Sequence, residues 1–179
     1  MSDRLSRRRY VAGTGAALTI GALAGCSGGG DGGDGGDGSD GGDSDGGNSG
    51  GGGAADDDVP SEIDEYLSDA RMYEGTIADY TGQDEVTVSV GAGDVGFGFD
   101  PAAIRIDSGT TVVWEWTGEG GAHNVASVDA SASEFNSGDA VAEEGSTFEQ
   151  SFDNAGIQLY HCTPHQANGM LGAIEVVES

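Results

Sequence analysis

The sequence predicts an all-β domain, a sandwich or barrel of short strands, over residues 84–179. After Gly82 the apolar residues recur with period two. Glu85-Val86-Thr87-Val88-Ser89-Val90 and Ala103-Ile104-Arg105-Ile106 each alternate, which buries one face of a strand and wets the other. Thr111-Val112-Val113-Trp114-Glu115-Trp116 is rich in the β-branched and aromatic residues that suit a half-buried pleat. Further runs at 146–152, 157–162 and 171–177 are separated by Gly, Asp and Asn turn residues, the spacing of an antiparallel sandwich. The 96 residues involved are enough to bury a core, and Trp114 and Trp116, on one face, are expected in it.

The chain begins with clustered positive charge, Ser6-Arg7-Arg8-Arg9-Tyr10-Val11, followed by an apolar Gly/Ala-rich run to Ala24. That run is too short to span a hydrocarbon core of about 30 Å. Residues 1–25 therefore read as a signal peptide, and the paired arginines resemble a twin-arginine export signal, a route that carries folded proteins. Leu23-Ala24-Gly25-Cys26 resembles a lipobox, which implies cleavage before Cys26 and lipid attachment to its sulfur. Two acyl chains hold a protein firmly to a membrane where one holds it marginally. A plain secretory cleavage beside an unmodified Cys26 is the alternative.

Residues 26–58 are nearly all Gly, Asp, Ser and Asn at first and have little to bury, so they are expected to form a disordered tether. At roughly 5–6 Å times the square root of residue number, it would reach about 30 Å. Residues 59–83 hold a short helix and connector. Ser61 is a candidate cap, and Ile63, Tyr66, Leu67, Ala70 and Tyr73 recur at helical spacing, which predicts a helix over 61–73 on the sheet edge or loosely attached.

The formal net charge is −26, from 6 arginines, no lysine and 32 acidic residues. Removal of 1–25 takes four arginines and one aspartate with it, leaving two basic and 31 acidic side chains and a net charge of −29. Such a surface repels nucleic acid and anionic headgroups. It suits a cell whose salt screens self-repulsion over a few ångströms.

Chemistry concentrates near the C-terminus in Cys162-Thr163-Pro164-His165-Gln166-Ala167-Asn168-Gly169-Met170, with His123 in Ala122-His123-Asn124-Val125 upstream. Two imidazoles, one thiolate and a weak thioether make up the donor set of a blue-copper electron-transfer site. Cys162 would supply the soft covalent bond, His165 and His123 the equatorial nitrogens, and Met170 the weak axial contact. His161 competes with His123, but period two turns it away from Cys162. Pro164 stiffens the turn and removes an N–H that could bond to the sulfur.

The intervals Cys-x2-His-x4-Met, with Phe99-x-Pro101 and Phe148…Phe152…Gly156…Tyr160 before the Cys, resemble the cupredoxins, closest to the plastocyanin, amicyanin and pseudoazurin group. The resemblance covers residues 84–179. It implies a Greek-key β-sandwich, one copper ion cycling between Cu(I) and Cu(II), and electron transfer without catalysis. It also implies that Asn124 bonds Thr163 to lock the two ligand loops, and that the His165 ring edge faces solvent. Gly120, Gly121, Ala122, Pro164, Ala167, Gly169 and Leu171 would form an uncharged docking rim. Membrane respiratory redox proteins are the implied donor and acceptor, at the outer face of the cytoplasmic membrane, and the protein is expected to be a monomer.

Other classes fit less well. Copper oxidases and nitrite reductases need further coppers, with His-x-His pairs or a His after the Cys, and the chain has three histidines and neither pattern. Copper storage or delivery, and a structural zinc site, remain as alternatives.

Overall fold

The computed structural model describes residues 53–179; the expected signal peptide, Cys26 and most of the expected tether lie outside them. Among the described residues, ten strands form two sheets. The first contains β1 (Ala54–Asp56), β2 (Ile77–Asp79), β5 (Ala103–Asp107), β10 (Leu171–Val177), β9 (Gly156–His161) and β7 (Ala126–Ser127), hydrogen-bonded in that order. The second runs β4 (Gly98–Asp100), β3 (Glu85–Ala92), β6 (Thr111–Trp116), β8 (Thr147–Ser151). Parallel pairings of β3 with β6 and of β5 with β10 require the chain to cross between sheets. The result is the all-β sandwich that alternation predicts and that the cupredoxin resemblance implies.

Alternation decides what the sandwich buries. Val86, Val88 and Val90 from β3, Val112, Trp114 and Trp116 from β6, and Ile104, Ile106, Tyr160, Ile174 and Val176 from the facing sheet form the main core. Trp114, fully buried, stacks on Phe135 and Phe148 and meets Tyr160 edge-on at 5.4 Å between centroids. Cys162 and Met170 belong to this same core, at the end of the sandwich where β9 and β10 are joined.

The N-terminal segment differs from its sequence reading in three ways. Helix α1 spans Ser61–Leu67 only, with Pro60 rather than Ser61 at its cap. The Pro60 carbonyl accepts from the amides of Ile63 and Asp64. The helix stops early because the Arg71 amide bonds the Gly169 carbonyl across the molecule instead of continuing the helical ladder. Second, α1 does not sit at an edge. Ile63 and Leu67, both fully buried, pack with Ile77 on Ala103, Leu159 and Ala173, the outward-facing residues of the first sheet. A third layer thus covers that sheet. Third, Ala54–Asp56, assigned by composition to the tether, pairs antiparallel with Ile77–Asp79. Arg105 explains this: its Nη1 donates to Asp56 at 2.6 Å, its Nη2 to the Asp58 carbonyl at 2.6 Å, and its Nε to Glu175 at 2.7 Å.

Candidate metal centre

His123 lies between β6 and β7, in a loop held at several points. Its backbone bridges to Val141 through two hydrogen bonds, and its carbonyl accepts from the Trp116 indole N–H at 3.0 Å. Its ring Nε2 lies 2.8 Å from the Glu119 carbonyl. A carbonyl can only accept, so Nε2 carries the proton and Nδ1 keeps a free lone pair. Gly91 makes room for this contact. It sits at a bulge in β3 with φ of 90°, and a side chain there would come within 2.7 Å of the Glu119 carbonyl oxygen.

The C-terminal loop closes on itself. Cys162 directly follows β9 and caps a 3₁₀ turn over Thr163–Asn168 with Pro164 in its first turn, and Gly169 takes the left-handed conformation with φ of 81°. The Cys162 amide bonds the Met170 carbonyl, the His165 amide bonds the Cys162 carbonyl, and the Met170 amide bonds the His165 carbonyl. All three sequence-predicted donors on this loop are therefore coupled through backbone.

The two loops bring three donor atoms together. Cys162 Sγ lies 3.6 Å from His123 Nδ1 and 3.5 Å from His165 Nδ1, and the two nitrogens are 3.0 Å apart. Metal–nitrogen bonds of about 2.0–2.1 Å and metal–sulfur bonds of about 2.3 Å, at near-tetrahedral angles, separate donors by roughly 3.3–3.5 Å. The two sulfur–nitrogen spacings fit one first-row ion, and the nitrogen pair, at 3.0 Å, would open by about 0.3 Å for all three to hold it. Met170 is fully buried in the core that contains Cys162. His161 is not in the cluster. It lies on the opposite face of β9, half-buried, paired across the ladder with Leu171 and Ala126, as period two predicts.

The environment favours the neutral forms of Cys162 and His123 in the metal-free state. Burial pushes the Cys162 thiol up, and amides of Asn124 and His165 oppose that shift. Burial likewise pushes His123 down, against the pull of the Glu119 carbonyl, with His165 adding to the depression. A metal entering this site would have to displace the thiol proton, so its affinity would rise with pH.

Asn124, nearly buried, ties the loops together. Its Nδ2 donates to Thr163 Oγ1 at 3.1 Å and to the Gly138 carbonyl at 3.2 Å, and its Oδ1 accepts from the Thr163 amide at 2.8 Å. Sequence reasoning missed Phe97, whose ring stacks on His165 at 4.3 Å with an interplanar angle of 20°. No spacing rule signals it, because the contact joins separate loops.

Comparison with known proteins decides the family. The model of "copper binding proteins, plastocyanin/azurin family" matches residues 85–177. The chain is 57% identical over 174 residues to halocyanin of Natronomonas pharaonis, a match covering 96% of this chain and 98% of that protein. It belongs to the plastocyanin/azurin family.

Plastocyanin of Scenedesmus fuscus is 34% identical over 98 residues, 51% of this chain and 99% of that protein. Plastocyanin of Pisum sativum is 33% identical over 99 residues, 51% of this chain and 58% of that protein. The chain is thus a cupredoxin with a candidate copper site at His123, Cys162 and His165. Its surroundings amend the expected docking rim. Gly121, Ala122, Pro164 and Ala167 are exposed, but Leu171 packs on the second core under α1. The exposed large apolar residues among those described are Val95, 50% exposed, and Val141, 41% exposed. Val95 lies two residues from Phe97, and Val141 is bridged to His123.

Proposed function

We propose that this cupredoxin is a membrane-anchored one-electron carrier with a mononuclear type 1 copper site, not an enzyme. The observation that carries the reading is the convergence of Cys162 Sγ, His123 Nδ1 and His165 Nδ1 within 3.6 Å of one another at one end of the sandwich. Bound copper would supply a Cu(II)/Cu(I) couple. Met170 would be the weak fourth donor that tunes its potential. The residues would keep the site rigid through the redox change. Asn124 locks the His123 loop to Thr163, the Glu119 carbonyl fixes the His123 ring, and Phe97 buttresses His165. A site that moves little between oxidation states has little to reorganise.

Val95, Val141, Pro164 and Ala167 would form the uncharged surface through which a partner approaches His165, set in an otherwise acidic molecule. The partners are membrane respiratory redox proteins. Cys26 would carry the lipid that holds the protein at the outer face of the cytoplasmic membrane after twin-arginine export, and residues 27–52 would act as the tether.

The test is the colour and redox behaviour of the copper-loaded soluble domain. An intense blue thiolate-to-Cu(II) absorption, reversibly bleached by one electron, is expected, and Cys162→Ser should abolish it while preserving the fold. A colourless adduct with readily exchanged copper would instead indicate storage or delivery.

A further inference from the structure

The turn that carries the donors is mostly exposed from Thr163 to Asn168, so core packing does not hold it. Its inner carbonyls have partners within the loop: Cys162, His165 and Gln166 accept from His165, Met170 and Gly169. The last two carbonyls before Met170, those of Asn168 and Gly169, do not bond within the turn. Both are taken by one residue from the N-terminal segment. The Arg71 amide donates to the Gly169 carbonyl at 3.0 Å, and its Nε donates to the Asn168 carbonyl at 2.7 Å. The approach is close: a Cβ on Gly169 would lie 2.5 Å from the Asp69 carbonyl oxygen.

Arg71 is itself held. The preceding helix is anchored by buried Ile63 and Leu67, Ala70 and Tyr73 pack on the same cluster, and the Tyr73 hydroxyl donates to Asp64 at 2.8 Å. This segment precedes residues 85–177, the part that matches the family. Its chemistry is also unusual for so acidic a chain. Arg71 and Arg105 are the two basic residues among those described, and Arg71 makes no ion pair there; it holds carbonyls instead.

We propose that Arg71 is a positioning residue for the metal loop: from the N-terminal segment it fixes Asn168 and Gly169, and through them the placement of Met170. The proposal rests on the copper reading for its redox consequence, not for the contact. With the carbonyls just before it held from the helix layer, Met170 would take its position partly from that layer, and as a weak thioether donor it would tune the potential of bound copper.

The experiment compares the wild-type chain, Arg71→Met and Arg71→Lys. Amide hydrogen exchange at Gly169 and Met170 is followed without metal, and the reduction potential is measured with copper. In R71M, loop exchange should rise about fivefold or more, on the scale of one lost hydrogen bond, with core amides such as Val88 and Trp114 unchanged. The potential should shift as well. R71K, which keeps a donor, should recover part of both; if it behaves like R71M, the Nε geometry of arginine is what holds the loop, and the assignment stands. Exchange and potential in R71M equal to wild type would overturn the proposal, as would exchange rising equally at core amides. Faster loop exchange with an unmoved potential would overturn the reach to Met170. A wild type that binds copper without a blue band would sink the electron-carrier reading alone, since the metal-free exchange still judges the contact.

Discussion

Asn124 makes three hydrogen bonds from a nearly buried position, two of them to Thr163 on the other ligand loop. Removing it leaves polar groups between the loops to find water. Asn124→Ala should therefore cost about 1–3 kcal/mol in denaturant unfolding of the metal-free protein. It should also weaken copper binding by about 10–100-fold in chelator competition, the usual effect of losing a group that orients a ligand. Thr163→Ala should cost less on both scales, because the Asn124–Thr163 amide bond survives it. The reverse ranking would mean that the hydroxyl, not the amide, couples the loops.

At the scale of elements, α1 is a layer and not an appendage. Ile63→Ala should destabilise by about 2–5 kcal/mol, the range for emptying a buried aliphatic site. A cost of a few tenths, measured by thermal or denaturant unfolding, would mean that the helix is only loosely attached. The edge strand β1 depends on Asp56, whose carboxyl is held below its ordinary value of 3.8 by the Asp58 amide and then by Arg105. A lowered folded pKa stabilises the docked strand above the unfolded value and loses that contribution as pH falls through the folded one. Proteolysis near residues 53–58 should therefore accelerate in acid below 3.8. Asp56→Asn should remove that acid-dependent step; a step unchanged in the variant would place its origin elsewhere.

For the molecule as a whole, charge dominates. The full chain carries a net charge of −26, and the two arginines among the described residues are already engaged, one by acids and one by carbonyls. Repulsion among the remaining carboxylates is long-ranged in dilute buffer, where screening acts over about 10 Å at 0.1 M salt, and is cut to about 3 Å at 1 M. Raising potassium chloride from 0.1 M to 1 M should therefore raise the melting temperature of the metal-free protein. A flat or falling melting temperature would show that the surface charge is not a stability cost.

Much of this was legible from local pattern. Strands β3 and β5 follow the two period-two runs, and β6, β8, β9 and β10 follow the other strand-like runs to within a residue, because alternation and β-branched content are properties of neighbours in the chain. The short strands β1, β2, β4 and β7 escaped notice, since two or three residues carry no period. Cys162, His165 and Met170 were readable together because one turn holds all three, and His161 was rejected for the same local reason, its alternation on β9.

What only the tertiary structure decided is where distant backbone meets that turn. The Glu119 carbonyl behind His123, the Phe97 ring on His165 and the Arg71 grip on Asn168 involve carbonyls and faces that no residue type announces. The last of these joins positions 97 residues apart. Donor identity is written in side chains, while donor placement comes from packing, and packing exists only once the layers have come together.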